Sequence, residues 1–227
     1  MLLRVFPAPE DPSLSLRLAL AAAAIALTLG ACSRNGEMDY LGGIRIARTT
    51  CPAVGVPAYT GDITLFDPPQ SRDARAIDVT ATITNLRTTC DETSGPDVIA
   101  NTTFDVIARR RDSSAPREVV LPYFVTIVRG GNVVVAKRIS RVSLNFAAGQ
   151  DRAQTTGLGS SIISRSAATL PDKVREEITR KRKAGEEDAA IDPFSRPGVR
   201  AAVARASFEQ LIGFQLTPDQ LQYNATR

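Results

Sequence analysis

The chain has 227 residues, 28 Lys and Arg against 24 Asp and Glu, and no histidine, giving a formal net charge of +4. The missing histidine excludes Ser-His-Asp and Cys-His hydrolases, zinc centres with imidazole ligands and most general-base mechanisms. With aromatics at 5% and tryptophan absent, the core must rest on Val, Ile, Leu and at most eight Phe.

Behind Arg4 and Arg17, residues 18–29 (LALAAAAIALTL) form an apolar run. Crossing a bilayer takes about 20 such residues, so the run reads as a cleaved leader and not as a retained transmembrane helix. Glu10 and Asp11 are atypical of a leader, and a mis-assigned start codon would account for them. Leu29-Gly30-Ala31-Cys32 resembles the lipobox of bacterial lipoproteins: Leu, two small residues, then the cysteine that is lipidated. The resemblance implies a signal peptide over 1–31, cleavage after Ala31, and acyl chains on Cys32. Two chains anchor stably where one is marginal, since each buried CH₂ contributes about 0.8 kcal/mol. In lipoproteins of this kind an Asp after the cysteine retains the protein at the inner membrane. Ser33 therefore implies the outer membrane, facing the periplasm, with the inner membrane and the cell surface as alternatives. Ordinary secretory cleavage, with Cys32 a bystander, is the competing reading.

Residues 33–43 (SRNGEMDYLGG) are polar and glycine-containing and read as a tether of about 35–40 Å when extended. Cys51 and Cys90 remain as an even pair, most economically one disulfide in an oxidising compartment. Free thiols or metal ligation are the alternatives, and a metal set would need more than two cysteines. The predicted β-sandwich core covers 44–150. Residues 44–48 alternate weakly, and 63–66 form a short strand stopped by Asp67-Pro68-Pro69. Over 77–86, Ile77, Val79, Ala81 and Ile83 face one way and Asp78, Thr80, Thr82 and Thr84 the other. Residues 98–110 repeat the pattern with Ala100, Thr102, Phe104, Val106 and Ala108. Residues 119–128 are apolar on both faces, as in a central strand, so Pro122 must sit at a bulge or turn its nitrogen away from a partner. Gly130-Gly131-Asn132 predicts a hairpin turn into a strand over 133–146. Short strands without intervening helices predict a mainly β fold, an antiparallel β-sandwich, Ig-like or similar.

After Gly149 a helical appendage is expected over 151–227. Residues 151–161, rich in Gly, Ser and Thr, read as a loop. A helix is expected over 171–184, with Thr169 as cap, Pro171 and Asp172 in the first turn and Gly185 ending it. A second runs over 197–206. Residues 207–216 permit helix or a last strand returning to the sandwich, and the alternation of Phe208, Gln210, Ile212 and Phe214 favours the strand. Thr217-Pro218 caps a final short helix containing Leu221. Arg-Thr-Thr-Cys recurs at 48–51 and 87–90, which reads as chance or as similar strand ends.

Three segments together resemble a group of uncharacterised bacterial envelope lipoproteins: residues 51–54 (CPAV), the strand 122–125 (PYFV) with 136–138 (AKR), and above all 213–221 (GFQLTPDQL) with Tyr223-Asn224. The resemblance spans roughly residues 51–224. It implies the extent of the domain and the lipoprotein address, and it supplies no catalytic residue.

Other motifs weigh little. Gly157-Leu158-Gly159-Ser160-Ser161 faintly resembles a phosphate loop but lacks the third glycine and a βαβ setting. Asp91-Glu92 and Glu186-Glu187-Asp188 are sequence neighbours, not carboxylates set across a cleft. Arg109-Arg110-Arg111 and Arg180-Lys181-Arg182-Lys183 would favour nucleic acid in a cytosolic protein. Export removes that partner and leaves anionic lipid headgroups as candidate contacts, against solvated surface balanced by nearby glutamates. The sequence calls for no cofactor and no metal. It reads as a non-enzymatic, lipid-anchored interaction or assembly module with an envelope protein partner and no nucleic acid. A module binding a lipid or another envelope molecule between its sheets is the alternative. A histidine-independent hydrolase, using carboxylates or Tyr123, is the third reading.

Overall fold

The computed structural model describes residues 49–180, 185 and 191–227. The leader with Leu29, Gly30 and Ala31, the lipidation candidate Cys32, the tether and the expected strand at 44–48 lie outside the described residues. Lys181, Arg182 and Lys183 do as well.

Among the described residues, eight strands form two four-stranded sheets. In chain order they are β1 (Ala53–Gly55), β2 (Asp62–Phe66), β3 (Ile77–Asp91), β4 (Asp97–Arg110), β5 (Arg117–Arg129), β6 (Val133–Phe146), β7 (Arg152–Ser164) and β8 (Phe208–Phe214). One sheet runs β1-β8-β5-β6 and the other β2-β3-β4-β7. Every described pairing is antiparallel except β1 with β8. The inward rows meet in one core: Val79, Ala81, Ile83, Phe104 and Val106 from one sheet, Leu121, Tyr123, Val142, Leu144, Ile212 and Phe214 from the other. The expected β-sandwich is the observed fold.

The alternation in β3 and β4 decides their faces, because successive strand side chains point to opposite sides. Val79, Val98, Ala100 and Val106 are fully buried, and the outward threonines between them lie at the surface or nearly so. Pro122 lies at the end of the β5–β8 ladder and not at the bulge of β5, which falls between Ile127 and Val128. The pairing of β5 with β8 begins at Tyr123, and the Pro122 carbonyl accepts the Gln215 N–H (2.9 Å) just past the end of β8. The β5–β6 hairpin turns through Gly130 and Gly131, at φ of +64° and +80°, a region closed to most side chains.

Two expectations are corrected. Residues 151–161 are not a loop but most of β7, paired with β4 from Asp97↔Ser164 to Arg109↔Arg152. The sandwich therefore takes in residues on both sides of Gly149, and 150 is not its boundary. The helix expected over 171–184 is α2 (Asp172–Thr179), with Pro171 at its N-cap. Thr169 does not cap it: its hydroxyl donates to the Arg165 carbonyl (2.7 Å), closing the short α1 (Arg165–Ala168). α3 (Pro197–Ala206) matches its expectation, buries Val199 and Ala202, and leads into β8 as the favoured last strand.

The segment that carries the lipoprotein resemblance closes the fold. Gly213 lies against Thr60 so tightly that a Cβ would sit 2.2 Å from its Oγ1. Phe214 is fully buried. Thr217 and Gln220 make a reciprocal capping box at the start of α4 (Pro218–Thr226). Tyr223 meets Phe66 edge-on at 5.1 Å, and Asn224 Nδ2 donates to the Tyr59 and Asp62 carbonyls at 2.8 and 2.7 Å. Gly213, Phe214, Thr217, Gln220, Tyr223 and Asn224 thus each make a contact that holds the fold together.

Candidate interaction surface

Each sheet has two edges, and an unguarded edge offers main-chain N–H and C=O groups to another chain. Two of the four edges are short, and a third, β7, has one of its carbonyls taken by a side chain. β1 is three residues long and β2 five, and Asn224 takes the Asp62 carbonyl at the start of β2. Along β7, the buried Tyr123 hydroxyl donates to the Leu158 carbonyl (2.8 Å). The fourth edge, β6, runs 14 residues with a neighbour on one side only.

The first part of β6 is exposed on both faces. Residues 133–141 are all exposed, and the inward row becomes buried only from Val142 through Leu144 to Phe146. The cause is the reach of the opposite sheet. Gly159 of β7 lies over β5, where a Cβ would stand 3.0 Å from Val125 Cγ2, so at this level β7 covers β5 and stops short of β6. Val125 is buried, whereas Arg138, its partner on β6 and hence on the same inward face, is exposed. One strand's width, about 4.8 Å, separates core from solvent. β6 therefore projects as a ledge.

The ledge is apolar and basic. Val133, Val134, Val135 and Ile139 are 49%, 62%, 54% and 57% exposed. A bulge between Ile127 and Val128 leaves Val135 unpaired opposite β5. Lys137 rests its ammonium 4.8 Å from the Phe124 ring centroid, a cation–π contact on the outer face. Arg138 and Arg141 have no ion-pair partner among the described residues. No Asp or Glu occurs between Glu118 and Asp151, so nothing in sequence neutralises this strand.

Of the described residues offered as candidate contacts for anionic lipid, Arg109 and Arg111 lie at the surface and Arg110 does not. Arg110 is 3% exposed. Its guanidinium donates to the carbonyls of Gln150, Ala115, Ala147 and Ser113 at 2.9, 2.7, 2.9 and 3.3 Å, above the Phe146 ring. It ties the β4–β5 and β6–β7 loops together and is withdrawn from any surface contact, because its position continues the inward row of Val106 and Ala108. Arg109 pairs with Asp151 (3.1 Å), and Arg111 donates to the Arg75 carbonyl. Arg180 closes α2 through its backbone N–H on Glu176 (2.8 Å).

The cysteine pair is joined: Cys51 and Cys90 form a disulfide that links the two Arg-Thr-Thr-Cys segments. Beside it, the Glu92 carboxylate accepts the hydroxyls of Thr49 and Thr50 and the Thr50 N–H at 2.7–2.8 Å. These bonds, the Thr49 hydroxyl first, hold the Glu92 carboxyl below its ordinary value. Asp91, accepting the Thr93 and Ser94 N–H groups, is lowered to about 2. The β3–β4 turn thus clamps the chain at the point where the described domain begins.

Neither remaining motif holds a ligand site. The glycines of 157–161 lie in β7: Gly157 makes room for Phe104 of the neighbouring β4, whose Cζ a Cβ would approach to 2.1 Å, and Gly159 for Ile212 and Val125 of the other sheet. Tyr123, one of the groups named for the hydrolase reading, is buried and bonded to the Leu158 carbonyl. The ledge was not singled out from sequence. The acid-free stretch around Lys137, Arg138 and Arg141 was its only sign. The chain matches no protein family, no curated protein and no solved structure.

Proposed function

We propose that the protein is a non-enzymatic, lipid-anchored interaction module held by Cys32 at the periplasmic face of the outer membrane. The observation that carries the interaction reading is β6, a long edge strand exposed on both faces. The address rests on the lipobox resemblance at 29–32 and on Ser33. The Cys51–Cys90 disulfide supports an oxidising compartment. The Glu92 clamp and the disulfide fasten the domain where the tether reaches it, so a pull on the tether meets a cross-linked segment and not a free strand end.

The address is tested by labelled palmitate and membrane fractionation. The wild-type chain should incorporate label and sediment with outer membranes, and Cys32→Ala should do neither. A processed Cys32→Ala chain that still partitions with membranes would contradict the anchor.

A further inference from the structure

We infer that β6 accepts an added strand from a partner, and that the partner segment is extended, alternately apolar and acidic. The inference rests on the interaction reading above and names the surface and chemistry of the occupant. β-Strand addition draws affinity from main-chain hydrogen bonds along an open edge and specificity from alternate side chains. β6 supplies both: one unpartnered side along residues 133–141, and two rows of side chains open to solvent.

Charge decides the occupant. Side chains directly opposite across a strand pair interact, and like charges there are unfavourable. A second copy of β6 is a poor partner. Antiparallel pairing centred on Lys137 sets it against its own copy, and pairing centred on Ile139 sets Lys137 against Arg141. Registers centred on Ala136 or Ser140 avoid direct like-charge pairs but leave Lys137 or Arg141 diagonal to its own copy. Two copies together would also bring six cations and no carboxylate onto neighbouring strands. Because strand side chains alternate, an acidic segment sets its carboxylate row either opposite Lys137 and Arg141 on the outer face, with the apolar row inward, or, shifted by one residue, opposite Arg138 on the inward face, with the apolar row over Ile139.

The test uses the full chain in detergent micelles with two labelled heptapeptides, one alternating Val and Glu, the other Val and Lys. The Glu peptide should bind at least about tenfold more tightly, since several cross-strand charge pairs act together. On binding, alternate backbone amides within 133–141 should gain hydrogen-exchange protection. R138E/R141E changes two exposed side chains and should reverse the peptide preference without altering thermal stability. Equal affinity for both peptides, or protection confined to another part of the chain, would overturn the inference. Protection of 133–141 by self-association without peptide would replace the acidic partner with a second copy and overturn it too. Binding in micelles does not depend on membrane address, so loss of the anchor reading leaves this result intact. Cross-links to a partner from Ile107 on the opposite sheet, and none from Val134, would preserve an interaction module and remove β6 as its surface.

Discussion

Replacing Gly157 by Ala tests whether β7 is a strand pressed onto the core. A Cβ there would lie 2.1, 2.5 and 2.8 Å from Cζ, Cε2 and Cε1 of Phe104. The ring has little freedom to withdraw: it is 1% exposed and meets Tyr123 edge-on at 5.1 Å, with Tyr123 fixed to the Leu158 carbonyl. Overpacking a well-filled core costs about 1–3 kcal/mol, and contact with a ring held on its far side belongs at the upper end. Against this, a Gly-to-Ala change restricts the unfolded chain and returns about 0.4–1 kcal/mol. The expected net loss is about 2 kcal/mol. Phe104→Leu shortens the side chain and removes the clash, so the double variant G157A/F104L should be more stable than the sum of the single changes by about 1 kcal/mol or more. Guanidinium denaturation with the disulfide intact reads all four corners of the cycle. A G157A loss under about 0.5 kcal/mol, or strict additivity, would refute the packing of the Phe104 ring across Gly157 of the neighbouring strand.

Arg110→Ala should cost about 2–4 kcal/mol, since it strips a charge-assisted donor from four carbonyls, while exposed Arg109→Ala should stay within about 1 kcal/mol; equal effects in thermal melts would contradict the buried role of Arg110. Asn224→Ala should lose about 1–3 kcal/mol and loosen β2, read as faster exchange of the amides around Asp62; unchanged exchange would contradict its closing role. The Glu92 clamp should depend on pH in one direction. Its folded carboxyl lies below 4.5, so its contribution is complete above the unfolded value and is lost as pH falls through the lowered folded one. Exchange-corrected protection of the Thr50 amide should therefore fall in acid, and Glu92→Gln should flatten the profile; a wild-type profile already flat would rule the clamp out.

The strands that were legible in sequence are those whose inward row is apolar. β4 announces itself through Ala100, Phe104, Val106 and Ala108, and β8 through Phe208, Ile212 and Phe214. β7 does not, because its inward row is Gly157, Gly159 and Ser161: Phe104 and Ile212 fill that space from their own sides, and the strand must be thin to admit them. Arg110 had a readable signal, the parity of the row before it, but a run of three arginines masks which one turns inward. The ledge was least legible. The end of β6 that becomes buried, Val142, Leu144 and Phe146, is plain in sequence. The exposure of 133–141 depends on where a different sheet stops, and no local pattern encodes that.

The most direct measurement is photo-cross-linking in native outer membranes, with a photoreactive residue at Val134 or Ile139 on the ledge and at Ile107, a comparably exposed apolar position on the opposite sheet. The account predicts a discrete cross-linked partner from 134 and 139, lost in R138E/R141E, and none from 107. No cross-link from any position, or the same products from all three, would contradict it.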